Sequence, residues 1–493
     1  MMRTRFAILG AATVLAGCTV GPDYRPTSAP ELGVPADYSV PAIATPEDLR
    51  QWWTRFNDPL LQRLVASAEV TNLDVGQALT RLRQAREALV QSRAQLLPNI
   101  TGSGGYSRNQ NLIGGNATIV LPDGTITNIS RGNSNNFTAG ASVSYQLGLF
   151  GEVRRTVEAT RADYEASGYN YAALVISTQA EIARNYILAR AAQAQLANAR
   201  ASLTLQDDNL EIAGFRVQAG LVSSLDAEQA RSQRAQTATT IPQLEASYNS
   251  AVSRLGVLTG QAPGALKTEM QAVRPIPREP AIVGAGIPAD VLRQRPDVLA
   301  AERGLAAATA RIGVAKAELY PALAVTGNIN TNAANIGGLF DTVIGTLFTG
   351  LTQLIFDGGR ARAQVRANEA AADGAFLAYK GTVLTALEDV ENAVVALETA
   401  RARQREFAIA LDAANTTGLL ARLQYRSGLT DFITLNQAET ALLSARNGLT
   451  QAQSDEATAL VQLYLALGGG WDSTAPAPQA PDRTAPDRTR QDR

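Results

Sequence analysis

Residues 137–147 alternate with period two. Phe137, Ala139, Ala141, Val143, Tyr145 and Leu147 are separated by Thr138, Gly140, Ser142, Ser144 and Gln146. Successive strand side chains point to opposite faces, so this stretch predicts a strand with one apolar face and one face of small polar groups. A soluble antiparallel strand shows that pattern. So does a lipid-facing barrel strand, at ~10 residues per crossing. Three weaker segments accompany it: 99–108 is rich in Gly and Ser, 322–331 alternates in part, and 343–355 is mixed. Together they predict four strands arranged as two hairpins. Pro98 to Phe150 spans 52 positions and Pro321 to Phe356 spans 35, so the first hairpin carries 17 more residues, placed in a Gly/Asn-rich outer loop near 108–134.

Between these segments the pattern turns helical. No proline occurs between Pro122 and Pro242, or between Pro321 and Pro476. Inside those gaps lie Glu152 to Ala219 and Gly359 to Ser427, both dominated by Ala, Leu, Gln, Glu and Arg. These residues are good helix formers, and at ~1.5 Å per residue each helix would be ~100 Å long. Helices of that length indicate a coiled-coil or other extended assembly.

The chain also repeats itself. "RAQLLPNITGSG" (93–104) resembles "KAELYPALAVTG" (316–327) at an offset of 223, and "LFGEVRR" (149–155) resembles "IFDGGRA" (355–361) at 206. "AGLVSSLDAEQA" (219–230) resembles "SGLTDFITLNQA" (427–438) at 208, as "LGVLTG" (255–260) does "LYLALG" (463–468). Each half reads as a shorter helix, a proline, strands, an aromatic turn, a very long helix, a Gly turn, a long helix and a Gly stop. The expected organisation is 1–17 signal peptide, 18–57 extended tether, 58–270 first repeat, 271–296 linker, 297–471 second repeat and 472–493 disordered tail.

The two ends explain the tether and the tail. A basic Met1–Arg5 region precedes an 11-residue apolar run, Phe6 to Ala16, which is too short to span a bilayer and suits a signal segment. It ends at Leu15-Ala16-Gly17-Cys18, a bacterial lipobox, and Cys18 is the chain's single cysteine. Cys18 is therefore expected to carry a diacylglycerol and an N-acyl chain rather than a free thiol, and Thr19 in place of Asp points to the outer membrane. Residues 19–46 hold six prolines and predict an extended strap. The Pro/Ala-rich 472–493 lacks the apolar bulk to fold alone.

Composition removes whole classes of chemistry. The chain has no histidine, so imidazole metal ligation and Ser-His or Cys-His nucleophiles are absent. One cysteine cannot make an internal disulfide or a thiolate cluster. No cofactor, no metal and no catalytic constellation are expected. With 44 basic and 45 acidic residues, the net charge of −1 gives no footprint for nucleic acid. Apolar residues make up 45% but aromatics only 5%, which fits closely packed Ala-rich helices. The cluster Glu388, Asp389 and Glu391, mid-helix, predicts salt bridging.

Four strands cannot close a barrel, and an open edge in lipid leaves backbone groups unsatisfied. The chain must oligomerise, with two, three or four copies giving 8, 12 or 16 strands. A tube results, rooted in the outer membrane and reaching into the periplasm.

"CTVGPDYRPTSAP" (18–30) and "GIPADVLRQRPDVLAAERGLAAATARIGVAKAELYPAL" (286–323) resemble the TolC-like outer-membrane factors, in particular their NodT-type lipoprotein branch serving resistance–nodulation–division efflux pumps. "LIFDGGRARA" (354–363) and "YLALGGGW" (464–471) fit the same family, and the resemblance spans nearly all of 18–471. It implies a mainly α protein with membrane β: a homotrimer whose 12-strand β-barrel continues into a 12-helix α-barrel. It implies three partners: a periplasmic adaptor (membrane fusion protein), an inner-membrane proton-driven pump and outer-membrane lipid. Conduction would be passive.

Such a tube must close at its periplasmic end. The hairpin tips at Gly220 and Gly428 are the natural place, because Gly suits a left-handed turn. Asp226 and Asp431 lie near those turns. Asp at a helix start caps backbone N–H groups; alternatively, symmetry gathers its copies into an acidic ring that attracts cations. Relatives carry Asp where this chain has Asn436, and Ile433 matches a position where they carry a constricting Leu. Arg216, Tyr425 and Arg426 are candidates for pinning the closed tips, or are solvated helix ends. Two rival readings remain: a lipid-anchored periplasmic adaptor, which would carry one helical hairpin, and a structural coiled coil without a pore.

Overall fold

The computed structural model describes residues 19–40, 49–110, 112, 116–122, 124–130, 133–278, 288 and 294–480. The signal peptide, Cys18, most of the linker and the tail from 481 onward lie outside the described residues.

Leucine-rich α1 (Pro59–Thr71) starts on an Asp58 cap, whose Oδ1 accepts from the Leu60 and Leu61 amides at 2.9 and 3.2 Å. Then follow α2 (Leu73–Ala94), β1 (Asn99–Asn109), β2 (Asn116–Val120), β3 (Ile126–Ser130), β4 (Ser134–Leu147), α3 (Glu152–Gln218) and α4 (Ser224–Leu258). A one-turn helix, α5 (Lys267–Met270), precedes α6 (Pro296–Ala317), β5 (Ala322–Ala333), β6 (Val343–Thr352), α7 (Arg360–Arg426) and α8 (Phe432–Ala466). The two very long helices end within one residue of their expected bounds. The expected Gly/Asn loop instead contains the antiparallel β2–β3 hairpin.

The repeat is exact in helix length. Helices α2 and α6 are both 22 residues, offset by 223. Helices α3 and α7 are both 67 residues, and α4 and α8 both 35, each pair offset by 208. Glycines with positive φ obey the same offset: Gly151 and Gly359, Gly220 and Gly428, Gly260 and Gly468. This corrects the offset of 206 at the aromatic turn. Phe150 and Phe356 look alike in sequence but occupy positions two residues apart in their turns.

Two compact units are each assembled from both repeats. The first comprises the described residues within 19–25, 85–163 and 304–375 and holds the sheet. Its strands run antiparallel in the order β1-β4-β5-β6. Register places Ile100, Val143, Gly327 and Leu347 in one row and Gly102, Ala141, Ile329 and Gly345 in the next. One face is therefore apolar across all four strands. None of the described residues covers it: Ile100, Tyr106, Ile329, Val343, Leu347 and Leu351 are between 55% and 76% exposed. The opposite face carries Thr101, Ser103, Ser142, Ser144, Thr326, Asn328 and Thr352, and on β6 also the exposed Ile344 and Phe348.

The strap is part of this unit. The Val20 amide donates to the Phe150 carbonyl at 3.1 Å. The nearly buried Arg155 guanidinium donates to the Val20 carbonyl at 3.4 Å and to Asp23 at 2.5 Å. Gly21 has φ +101° and lies against the Gly313 backbone, where a Cβ would collide.

The second unit comprises the described residues within 26–84, 164–303 and 376–480. Two stretches here differ from expectation. The tether is not extended to residue 57: Trp52–Phe56 forms a 3-10 helix, and Trp52, 1% exposed, stacks on Tyr464 at 5.3 Å. The tail is placed as far as Ala480, whose amide donates to the Tyr164 hydroxyl at 3.2 Å while Pro478 packs on Gly168. Both follow from burial of apolar surface that the local pattern does not advertise. Asp389 pairs with Arg295 at 2.9 Å and Glu391 accepts from the Ser39 amide at 2.7 Å, so two of the three mid-helix acids are held by cations or donors.

Candidate functional site: the hairpin tips and the exposed sheet

Two features concentrate what this molecule can do. One is a sheet with a bare apolar face and two unpaired edges. The other is the pair of helical turns at Gly220 and Gly428.

The two turns are built alike. Leu221 donates to the Arg216 carbonyl at 2.9 Å and Gly220 to the Val217 carbonyl at 3.0 Å. Leu429 donates to the Gln424 carbonyl at 2.8 Å and Gly428 to the Tyr425 carbonyl at 3.0 Å. This paired pattern ends a helix on a residue in the left-handed region, with φ +71° and +75° here. A cap then restarts the chain. The Ser223 hydroxyl accepts from the Leu225 amide at 3.2 Å, and Asp431, at the repeat-equivalent position, accepts from the Thr434 amide at 2.8 Å. That backbone donor, with the Thr434 hydroxyl, holds the Asp431 carboxyl below its ordinary range. Asp431 is therefore a helix cap in this structure. Asp226 is no cap; it sits in the first turn of α4, three residues beyond Ser223, close enough for its charge to act on Tyr425.

Arg216 and Tyr425 meet. The Arg216 guanidinium lies 4.8 Å from the centre of the Tyr425 ring, and its Nη1 donates to the Tyr425 carbonyl at 3.2 Å. Tyr425 is 1% exposed, in a cluster with Ala213, Ala230, Ala421, Phe432, Leu435 and Ala438, drawn from all four helices at the tips. Burial pushes its phenol up, while the neighbouring Arg216 guanidinium opposes the rise. Arg426 ends α7 with an exposed side chain and is not part of this contact. Ile433 is 50% exposed in the single chain, beside the buried Phe432.

One polar group escaped the sequence reading. Glu439, 6% exposed, accepts from Asn209 Nδ2 at 2.8 Å and lies 3.8 Å from Arg422. It ties α8 to α3. Burial raises its carboxyl, while Asn209 and Arg422 oppose the rise. An acid at a position that the repeat fills with Arg231 in the other half was the available signal.

The sheet has strands of 10 to 14 residues, long enough to cross a bilayer as barrel strands at ~9–11 residues each. No helix among the described residues is long and apolar enough to cross a membrane. A bare apolar sheet of membrane-crossing strand length, in a chain that also holds two long helical hairpins, points to the class of outer-membrane channels.

The profile of the family described as "Outer membrane efflux protein" matches residues 64–261 and 287–469. Nodulation protein T of Rhizobium leguminosarum bv. trifolii is 32% identical over 488 residues, covering 97% of this chain and all of that one. The outer membrane protein OprJ of Pseudomonas aeruginosa is 28% identical, covering 94% of this chain and 95% of that one. The solved structure of the outer-membrane channel OprN superposes with a TM-score of 0.81 at 31% identity, covering 92% of this chain and all of that one. The chain belongs to the outer membrane efflux protein family. It is the TolC-like outer-membrane channel of an efflux system, and the adaptor and pore-less coiled-coil readings fall away.

Proposed function

We propose that this chain works as a homotrimer, 12 strands closing one barrel in the outer membrane and the helical hairpins forming a periplasmic conduit. A single observation carries this: the four-strand sheet has unpaired edges at β1 and β6 and an apolar face left exposed by the described residues. In lipid those edges must be paired. The partners are a periplasmic adaptor and an inner-membrane resistance–nodulation–division pump, which supplies the energy. Cys18 carries the lipid anchor.

The tips form the resting closure. The Arg216–Tyr425 contact joins the first hairpin to the second, so both move as one until it breaks. Ile433 projects where a ring of copies meets and excludes ions by dewetting. Asp431 holds the turn in shape rather than selecting ions.

Native mass measurement in detergent tests the assembly: a trimer is expected, and a stable monomer or dimer with full channel activity overturns it. Cys18→Ser should abolish labelling by radioactive fatty acid; label that persists in the variant overturns the anchor.

A further inference from the structure

The internal repeat does more than duplicate elements. It specifies how one copy meets the next. Two registers within the chain establish the rule. In the first hairpin Ser144 of β4 stands opposite Asn99 of β1; in the second, Thr352 of β6 stands opposite Ala322 of β5. Adding 223 to Asn99 gives 322, and adding 208 to Ser144 gives 352. The offsets set by the helices therefore carry one hairpin onto the other without slippage, whereas an offset of 206 for β4 misses by two residues.

Between the hairpins the chain makes a third junction, β4 against β5, with Ser144 opposite Thr326, Val143 opposite Gly327 and Ser142 opposite Asn328. Each hairpin's own pairing is complete, so a ring of equivalent hairpins needs one more junction of this kind, from β6 to β1. Carrying β4 forward by 208 and β5 back by 223 gives its register. We propose that β6 of one copy pairs antiparallel with β1 of a second copy, with Thr352 opposite Ser103, Leu351 opposite Gly104 and Gly350 opposite Gly105. This rests on the reading that copies of the chain close the barrel, and it names the contact by which they do so.

Two features on the page support that register. Side-chain faces agree: Thr352 and Ser103 both belong to the polar face, and Leu351 and Gly104 to the apolar face. A slip of one residue would turn Leu351, which shares the apolar face with Val343 and Leu347, toward the polar face of β1 that carries Ser103. The junction also reproduces the size match of the β4–β5 seam. There a Cβ added at Gly327 would come within 3.0 Å of Val143; here Leu351, 65% exposed in the single chain, meets Gly104.

Cysteine pairs in the full-length protein test this, because Cys18 is the only native thiol. The test variant is Ser103→Cys with Thr352→Cys. The repeat-equivalent pair inside the chain, Ser144→Cys with Thr326→Cys, is the control for a folded sheet and competent oxidation. Thr101→Cys and Gly105→Cys, each with Thr352→Cys, sample registers two residues away. Directly opposed Cβ atoms lie ~4.5–5.5 Å apart and diagonal ones several ångströms further, against ~3.5–4.5 Å for a disulfide. Mild oxidation of outer membranes, read on non-reducing gels against single-cysteine variants, should link copies through the 103/352 pair several-fold more than through either neighbour. Stronger linking through 101/352 or 105/352 overturns the register but leaves closure by copies intact. Intrachain linking in the control, with no intercopy linking in any variant and a monomeric native mass, overturns both.

Discussion

Replacing Arg216 with Ala tests the tip closure most directly. The side chain makes two contacts with the second hairpin: its guanidinium lies over the Tyr425 ring at 4.8 Å and its Nη1 donates to the Tyr425 carbonyl at 3.2 Å. A cation–π contact at a partly exposed site contributes ~0.5–1 kcal/mol. A hydrogen bond from a charged donor contributes ~1.5 kcal/mol at the low end of its range. The Tyr425 carbonyl keeps the Gly428 amide as donor at 3.0 Å, so removing Arg216 leaves no orphaned acceptor, and no desolvation penalty is added. The sum is ~2 kcal/mol per chain, or ~30-fold in the ratio of docked to undocked hairpins. Single-channel recording in planar bilayers should show a higher open probability, and amide exchange should quicken by the same factor around both turns. Arg216→Lys, which keeps charge but loses the planar fork, should fall between. Tyr425→Phe should leave the latch in place, because the ring face and the backbone carbonyl that Arg216 engages both remain. Unchanged open probability and unchanged exchange in a correctly assembled Arg216→Ala protein would refute the latch.

Four further outcomes follow from the contacts described above. Ile433→Asp should raise conductance by wetting the constriction, whereas Asp431→Ala should loosen the α8 start without shifting reversal potential, since its carboxyl is spent on the Thr434 amide; a shifted reversal potential restores the acidic ring. Glu439 is raised by burial, so the packing it joins is fully stable below the ordinary glutamate range and loosens as pH rises through the raised value; exchange of the α3 and α8 amides near Asn209 and Glu439 should quicken with pH beyond the intrinsic trend, and Glu439→Gln should remove that excess. Gly21→Ala sets a Cβ against the Gly313 backbone at φ +101°, so the strap should undock and residues 19–25 become protease-sensitive while the barrel stays folded.

The sequence alone determined whatever depends on local periodicity. Proline-free runs of helix formers set α3 and α7 to within a residue, because helix propensity and N–H supply act position by position. The alternation at 137–147 set β4 and its apolar face for the same reason. The Gly220 and Gly428 turns were legible because only glycine enters the left-handed region cheaply. What needed the tertiary structure was every contact between segments far apart in the chain. Arg216 and Tyr425 are 209 residues apart and meet because two hairpins dock. Glu439 reads as one more polar helix position until Asn209 and Arg422 close over it. Trp52–Phe56 looked like tether until Tyr464 stacked on it, and 472–480 looked like a loose tail until Gly168 gave Pro478 a place to pack. The repeat offset at the aromatic turn was misread because resemblance between "LFGEVRR" and "IFDGGRA" tracks side chains. The hydrogen-bond register tracks backbone positions, and it is the backbone, through its unpaired edges, that decides how the sheet can be completed.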